Sequence, residues 1–261
     1  MQGACPNSDF LVSRLVVAIF TAVVGRYTGS MKKYLPNFFT LLNLTIGGIG
    51  SVLAWEGHLT HAALCIWLGA FLDFVDGWLA RRLKAHSPLG QQLDSFADLI
   101  TFGCLPASIM YVLIGAQTNA VYLPYIALLM PNCAALRLAR FNIDPNQKSL
   151  FIGLPAPACG LLISTLPWII KGNKYAWLTT LLAQPYMLVA LVMFASYLLI
   201  ANMKLMAFKF TTYAWAPNRF QYSFLLAATL LILTLQAEGL ALSIVLYVLV
   251  SIMMPWRQQG S

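Results

Sequence analysis

Charge is what this sequence has least of. Charged residues make up 9% of 261, and only eight of them are carboxylates. A soluble globular domain carries about 25% charged residues. Together with a hydrophobic fraction of 60% and a mean hydropathy of +0.75, that shortage places the chain in a bilayer. Paired cysteine spacing is missing as well. Cys5, Cys65, Cys104, Cys133 and Cys159 form no CxxC pattern, and four of them lie within apolar runs. A free thiol there behaves as a small hydrophobe, which argues against a zinc site or a disulfide framework. There is no internal repeat, no low-complexity segment and no linker long enough to separate two domains. The net charge of +8 comes from basic residues in short gaps between apolar runs, not gathered on one face as nucleic-acid binding requires.

A bilayer-crossing helix needs roughly 20 mainly apolar residues. By that measure the chain offers eight candidate spans, at 35–55, 60–83, 91–114, 119–141, 152–170, 183–203, 221–236 and 240–255. The last two are short, and "LQAEGL" between them leaves room only for a tight turn. The pattern predicts an all-α, polytopic membrane helical bundle. Lys and Arg give its orientation, because basic loops stay cytoplasmic. With the segment before the first span cytoplasmic, one side holds Lys32, Lys33, Arg81, Arg82, Lys84, Arg137, Arg140, Lys148, Lys204, Lys209, Arg219 and Arg257. The other side holds Lys171 and Lys174. Residues 11–25, "LVSRLVVAIFTAVVG", are too short to span, lack a basic leading region and are interrupted by Arg14, so they do not read as a signal peptide. Met31 followed by Lys32-Lys33-Tyr34-Leu35-Pro36 reads as a start, which makes 1–30 an N-terminal extension and 31–261 a single membrane domain. The competing reading of that extension is a helix lying in the membrane interface.

Four of the eight carboxylates crowd into 26 residues, "DFVDGWLARRLKAHSPLGQQLDSFAD", from Asp73 to Asp98. On a helix, Asp73, Asp76, Gly77, Ala80 and Arg81 stand at i, i+3, i+4, i+7 and i+8, which is one face. Gly90, Asp94 and Asp98 share a face of the next helix at i, i+4 and i+8. Joined by "RLKAHSPL", the two faces can be aimed at each other. Four carboxylates in a low-dielectric site repel one another and take up protons. Divalent cations remove that conflict, and all-oxygen ligation suits Mg²⁺ or Mn²⁺. Gly77 and Gly90 carry no side chain, so a bulky phosphorylated ligand can approach the backbone. Two other readings stay open: a structural cluster partly neutralised by Arg81 and Arg82, and a cation transporter. A transporter places its acids near the bilayer midplane, whereas these lie at the cytoplasmic end of their spans.

At every fixed position the stretch matches D-x2-D-G-x2-A-R-x8-G-x3-D-x3-D, through Asp73, Asp76, Gly77, Ala80, Arg81, Gly90, Asp94 and Asp98. In this it resembles the CDP-alcohol phosphotransferase family. The resemblance implies a catalytic membrane domain with a six-helix core, here extended by about two C-terminal spans. It also implies a CDP-linked lipid bound with two divalent cations, Mg²⁺ or Mn²⁺, between helices two and three. Asp73, Asp76 and Asp94 become the principal metal ligands. Asp98 touches the second metal and serves as the catalytic base that deprotonates an alcohol, and Arg81 pairs with the diphosphate. A substituted phosphate then moves from CDP to the alcohol with release of CMP. Homodimers are common in the family, so a homodimer is expected.

Three further segments, "YLPNFFTLLN" (34–43), "ALRLARFNI" (135–143) and "FIGLPAPACG" (151–160), resemble the integral-membrane phosphatidylserine synthases of bacteria and archaea. That branch implies CDP-diacylglycerol and L-serine as substrates, at a bacterial or archaeal cytoplasmic membrane with the site facing the cytoplasm. Glycerol 3-phosphate, inositol phosphate or an aminoalcohol remain alternative acceptors. A serine carboxylate near four acids needs cations, and Arg137, Arg140 and Lys148 lie on the same side, with the Asn142 amide nearby. Ordinary positive-inside anchoring is the plain alternative for these basic residues. Pro36 opens the first span. Asn37, Thr40 and Asn43 are candidates to hydrogen-bond the CDP-lipid, beside Gly77, Ala80, Arg81 and Gly90, although Thr40 can also bond back to its own helix. Gly153, Pro155 and Pro157 interrupt the fifth span, either as a pocket wall or as a simple helix start. His86 reads as a loop residue, and Trp55, Trp168, Tyr175 and Trp256 as interfacial anchors.

Overall fold

Large apolar side chains face outward along much of this chain while small and polar ones face inward. On one helix Phe71, Phe74 and Trp78 are 61%, 66% and 47% exposed, whereas Ala62, Ala63, Gly69 and Asp76 are buried. Lipid tails are as apolar as leucine, so helices in a bilayer associate through close packing of small residues rather than by hiding large ones.

The fold is that of a computed structural model describing residues 34–85, 87–143, 153–203 and 215–253. In chain order come α1 (Leu35–Trp55), α2 (Leu59–Arg82) and α3 (Pro88–Asp98), the last running through a π-helical turn (Leu99–Cys104) into α4 (Leu105–Ala116). A 3-10 stretch (Leu123–Leu128) leads into α5 (Leu129–Ile143), followed by α6 (Ala156–Gly172), α7 (Ala176–Leu182), α8 (Pro185–Ile200), α9 (Trp215–Leu235) and α10 (Ala237–Met253). No strand occurs among the described residues. The protein is all-α, and its apolar helices fit an integral membrane protein.

The expected spans and the helices differ in instructive places. Leu35–Trp55, Leu59–Arg82 and Pro88–Ala116 are long and apolar enough to cross a membrane, whereas Ala156–Gly172, Tyr222–Leu235 and Ala237–Ser251 are shorter apolar helices. The stretch at 119–141 opens as a 3-10 turn, with Pro124 at its start. Ahead of the sixth span stands α7, bent by 77° from α8. Pro185 lacks an N–H and cannot continue α7, so the chain turns there.

Pro88–Ala116 is the central rod. Phe102, Leu105, Ile109 and Met110 along it pack with Ile66 of α2, Met130 of α5, Ile163 of α6 and Leu188 and Val192 of α8. The entry to α6 is held by protein: the Gly153 N–H donates to the Met203 carbonyl and the Leu154 N–H to that of Leu198, both at 2.9 Å. Gly153 has φ +78°, which suits a residue without a Cβ. Trp168, expected at the membrane interface, packs against a second indole. Its ring lies 6.4 Å from that of Trp67, whose Nε1 donates to Ser164 Oγ at 2.7 Å, so both indoles join α2 to α6.

Candidate active site

The turn between α2 and α3 is what brings the acids together. Lys84 adopts a left-handed conformation at φ 51°, the Lys84 N–H bonds the Arg81 carbonyl at 3.3 Å and the Ala85 N–H bonds that of Ala80 at 3.0 Å. This is a Schellman closure, which satisfies the last carbonyls of α2 and reverses the chain. Ser87 then caps α3, its Oγ accepting from the Gly90 N–H at 3.0 Å, and Pro88 occupies the first turn, where no N–H is needed.

One carboxylate oxygen from each of Asp73, Asp76 and Asp94 lies within 4.8 Å of the others. At an effective dielectric of 20, unit charges that close repel by about 3 kcal/mol per pair. Three oxygen donors so placed fit a hard divalent cation. Asp76 is 4% exposed, and its Oδ2 accepts from Thr40 Oγ1 at 2.7 Å. The same Thr40 oxygen lies 3.1 Å from the Pro36 carbonyl, so the cross-helix and the back-bonding arrangements coexist in one hydroxyl. Asp98 is half-buried one turn along from Asp94, and its Oδ1 is buried without a hydrogen-bond partner. The charges of Asp73, Asp94, Arg137 and Asp76 all reach it.

The basic residues divide by position. Arg81 folds back beside Gly77, Nη1 lying 3.6 Å from where a Cβ there would stand, and its charge reaches Asp73 and Asp76. Ala80 is half-buried on the same face. Arg82 instead lies over the Trp78 ring at 5.6 Å. On α5, Arg137 is half-buried, its Nε unpartnered and its charge reaching Asp98, while Arg140 is exposed.

The polar candidates spread further. Gly90 lets α1 close on α3, because a Cβ there would stand 2.9 Å from Asn37 Oδ1. Asn43, 0% exposed, accepts from Thr101. Asn142 donates to Ser95 Oγ at 2.9 Å and accepts from Gln91 Nε2 at 3.2 Å, tying α5 to α3. Lys148, His86, Trp256 and residues 1–30 lie outside the described residues. Thr101, Ser95 and Gln91 were not singled out from the sequence. None occupies a fixed position of the acid pattern, although Thr101 stands three residues after Asp98 and Ser95 one after Asp94.

A family model described as CDP-alcohol phosphatidyltransferase matches residues 33–215. The chain is similar to the CDP-diacylglycerol–serine O-phosphatidyltransferase of Bacillus subtilis, 41% identical over 140 residues, 51% of this chain and 75% of that protein. Similarity to the archaetidylserine synthase of Methanothermobacter thermautotrophicus is 34% over 138 residues, 50% of this chain and 56% of that protein. The CDP-diacylglycerol–serine O-phosphatidyltransferase of Mycobacterium leprae is 37% identical over 133 residues, 48% of this chain and 44% of that protein. The chain thus spans three quarters of the first relative's length and about half of the other two.

Proposed function

Because the chain belongs to the CDP-alcohol phosphatidyltransferase family, we propose that it moves the phosphatidyl group of CDP-diacylglycerol to the hydroxyl of L-serine, giving phosphatidylserine and CMP. The observation that carries this is the convergence of Asp73, Asp76 and Asp94, with Asp98 beside them and Arg137 beyond. Three relatives named for serine transfer, one of them acting on a different lipid by its name, support serine as the acceptor.

Asp73, Asp76 and Asp94 are the residues to hold two divalent cations, Mg²⁺ or Mn²⁺, with Asp98 at the second. Such ions neutralise a diphosphate and stabilise the leaving phosphate. The chain's own groups do the rest. Thr40 fixes the rotamer of Asp76. Arg81 offers a fork of donors to the diphosphate, and Asn37, Gly77, Ala80 and Gly90 frame the CDP-lipid at the mouth. Asp98 takes the serine hydroxyl proton. The freed oxygen forms a bond to the lipid-bearing phosphorus as the bond to CMP breaks, and CMP departs with that electron pair. Arg137 receives the serine carboxylate, with Arg140, Asn142 and Lys148 bordering the same side. The site opens to the cytoplasm, residues 31–261 form the catalytic unit, and the working form is a homodimer.

Acceptor choice is the test. Purified protein, CDP-diacylglycerol and Mn²⁺ should convert radiolabelled serine to phosphatidylserine with release of CMP. Glycerol 3-phosphate, inositol phosphate and ethanolamine should give little product. Preference for one of these keeps the chemistry but removes serine. No CMP release with any acceptor removes the transferase reading.

A further inference from the structure

One turn below the acids lies a second polar layer that the proposed chemistry does not use. α1 contributes Asn43, three residues past Thr40, α2 contributes Gly69, four before Asp73, and the π-helical turn contributes Thr101, three past Asp98. Such spacings keep each residue on the helix face that carries the site above it. Asn43 and Thr101 are both 0% exposed. The Thr101 hydroxyl lies 2.9 Å from Asn43 Oδ1 and 3.1 Å from the Asn43 main-chain carbonyl, so both its acceptors belong to one residue of α1. The space around it is closed. A Cβ on Gly69 would stand 2.8 Å from Asn43 Oδ1 and collide with Thr101 Cγ2, and a Cβ on Gly47 would stand 2.9 Å from Thr101 Cα and collide with its Oγ1.

The gripped segment is the weak point of the central rod. Pro106 has no N–H to give, and its ring crowds the carbonyl four residues back, at Phe102. The helix widens over Leu99–Cys104 instead of breaking. Such π-helical turns recur at functional sites. Asp98 immediately precedes this one.

We infer that Asn43 and Thr101 are positioning residues for Asp98. By tying the π-helical turn to α1, they set the rotation of the helix at Asp98 and so the direction of its carboxylate. Neither touches the reacting atoms. The inference rests on the reading of Asp98 as the proton acceptor.

The test uses the purified full chain in CDP-diacylglycerol micelles with Mn²⁺, assayed below the melting temperature of every variant. Thr101→Val keeps the shape and removes the hydroxyl. It should lower kcat by about 10- to 100-fold, as expected for displacement of a reacting group by about 1 Å, and leave KM for both substrates unchanged. Thr101→Ser should recover most of the loss. If Thr101→Val does not fold, Thr101→Ala, which cannot clash, carries the same comparison. A normal kcat in the hydroxyl-free variant overturns the inference. So does an equal loss in Thr101→Ser, or a rise in both KM values, since either assigns Thr101 to packing alone. Asp98→Asn separates the two levels: an active Asp98→Asn removes the base reading itself, whereas an inactive one beside a normal Thr101→Val removes only the positioning role.

Discussion

Replacing Arg137 with alanine asks whether this arginine holds the acceptor or merely anchors the end of α5. Arg137 is half-buried with its Nε unpartnered, whereas Arg140, three residues on, is exposed. A hydrogen bond to a charged group in a partly buried site is worth about 1.5–3 kcal/mol. At 1.4 kcal/mol per factor of ten, Arg137→Ala should raise KM for serine by about 10- to 100-fold. The exposed Arg140 is screened by solvent and limited to about 1 kcal/mol, so Arg140→Ala should raise it by no more than about fivefold. Initial rates measured first against serine and then against CDP-diacylglycerol should show the change in the serine KM alone. Arg137→Lys keeps the charge but loses the planar fork, and should fall between the parent and alanine. Serine amide, which lacks the carboxylate, should be a poor acceptor for the parent and lose little more in Arg137→Ala. An unchanged serine KM, or equal rises for both substrates, would refute the acceptor role and leave Arg137 as a topological anchor.

The acids should separate by role. Asp98→Asn should keep the fold and most Mn²⁺ binding but abolish turnover, because an amide cannot accept the hydroxyl proton; near-normal turnover would remove the base assignment. Asp73→Asn or Asp76→Asn should instead raise the Mn²⁺ concentration needed for binding, read by titration with the paramagnetic ion, and unchanged binding would exclude them as ligands. Arg81→Ala should raise KM for CDP-diacylglycerol before that for serine, the reverse of Arg137→Ala, and a serine-only effect would move the diphosphate contact elsewhere.

Local periodicity explains what was legible in advance. Asp73 and Asp76 on one helix and Asp94 and Asp98 on the next share faces because 3.6 residues make a turn wherever the helix lies. Two faces joined by a short connection have few ways to avoid meeting. The apolar composition placed the chain in a bilayer for an equally local reason: each residue's transfer preference is its own. The first three spans, Leu35–Trp55, Leu59–Arg82 and Pro88–Ala116, followed from length alone. The break at Pro106 illustrates the limit, since a proline announces a disturbance without saying that the helix will widen rather than kink.

What the chain determined alone, then, was the medium, the helices, and the faces that carry the four acids and the basic residues. Tertiary structure decided which partner each face found. Thr40 reaches Asp76 across 36 residues, Asn43 meets Thr101 across 58, and Trp67 finds Ser164 across 97. It also separated the half-buried Arg137 from the exposed Arg140, and turned Asn142 toward Ser95 and Gln91. No periodicity encodes such pairings, because they depend on how closely whole helices approach, and that approach is set by small residues whose neighbours lie far away in the chain.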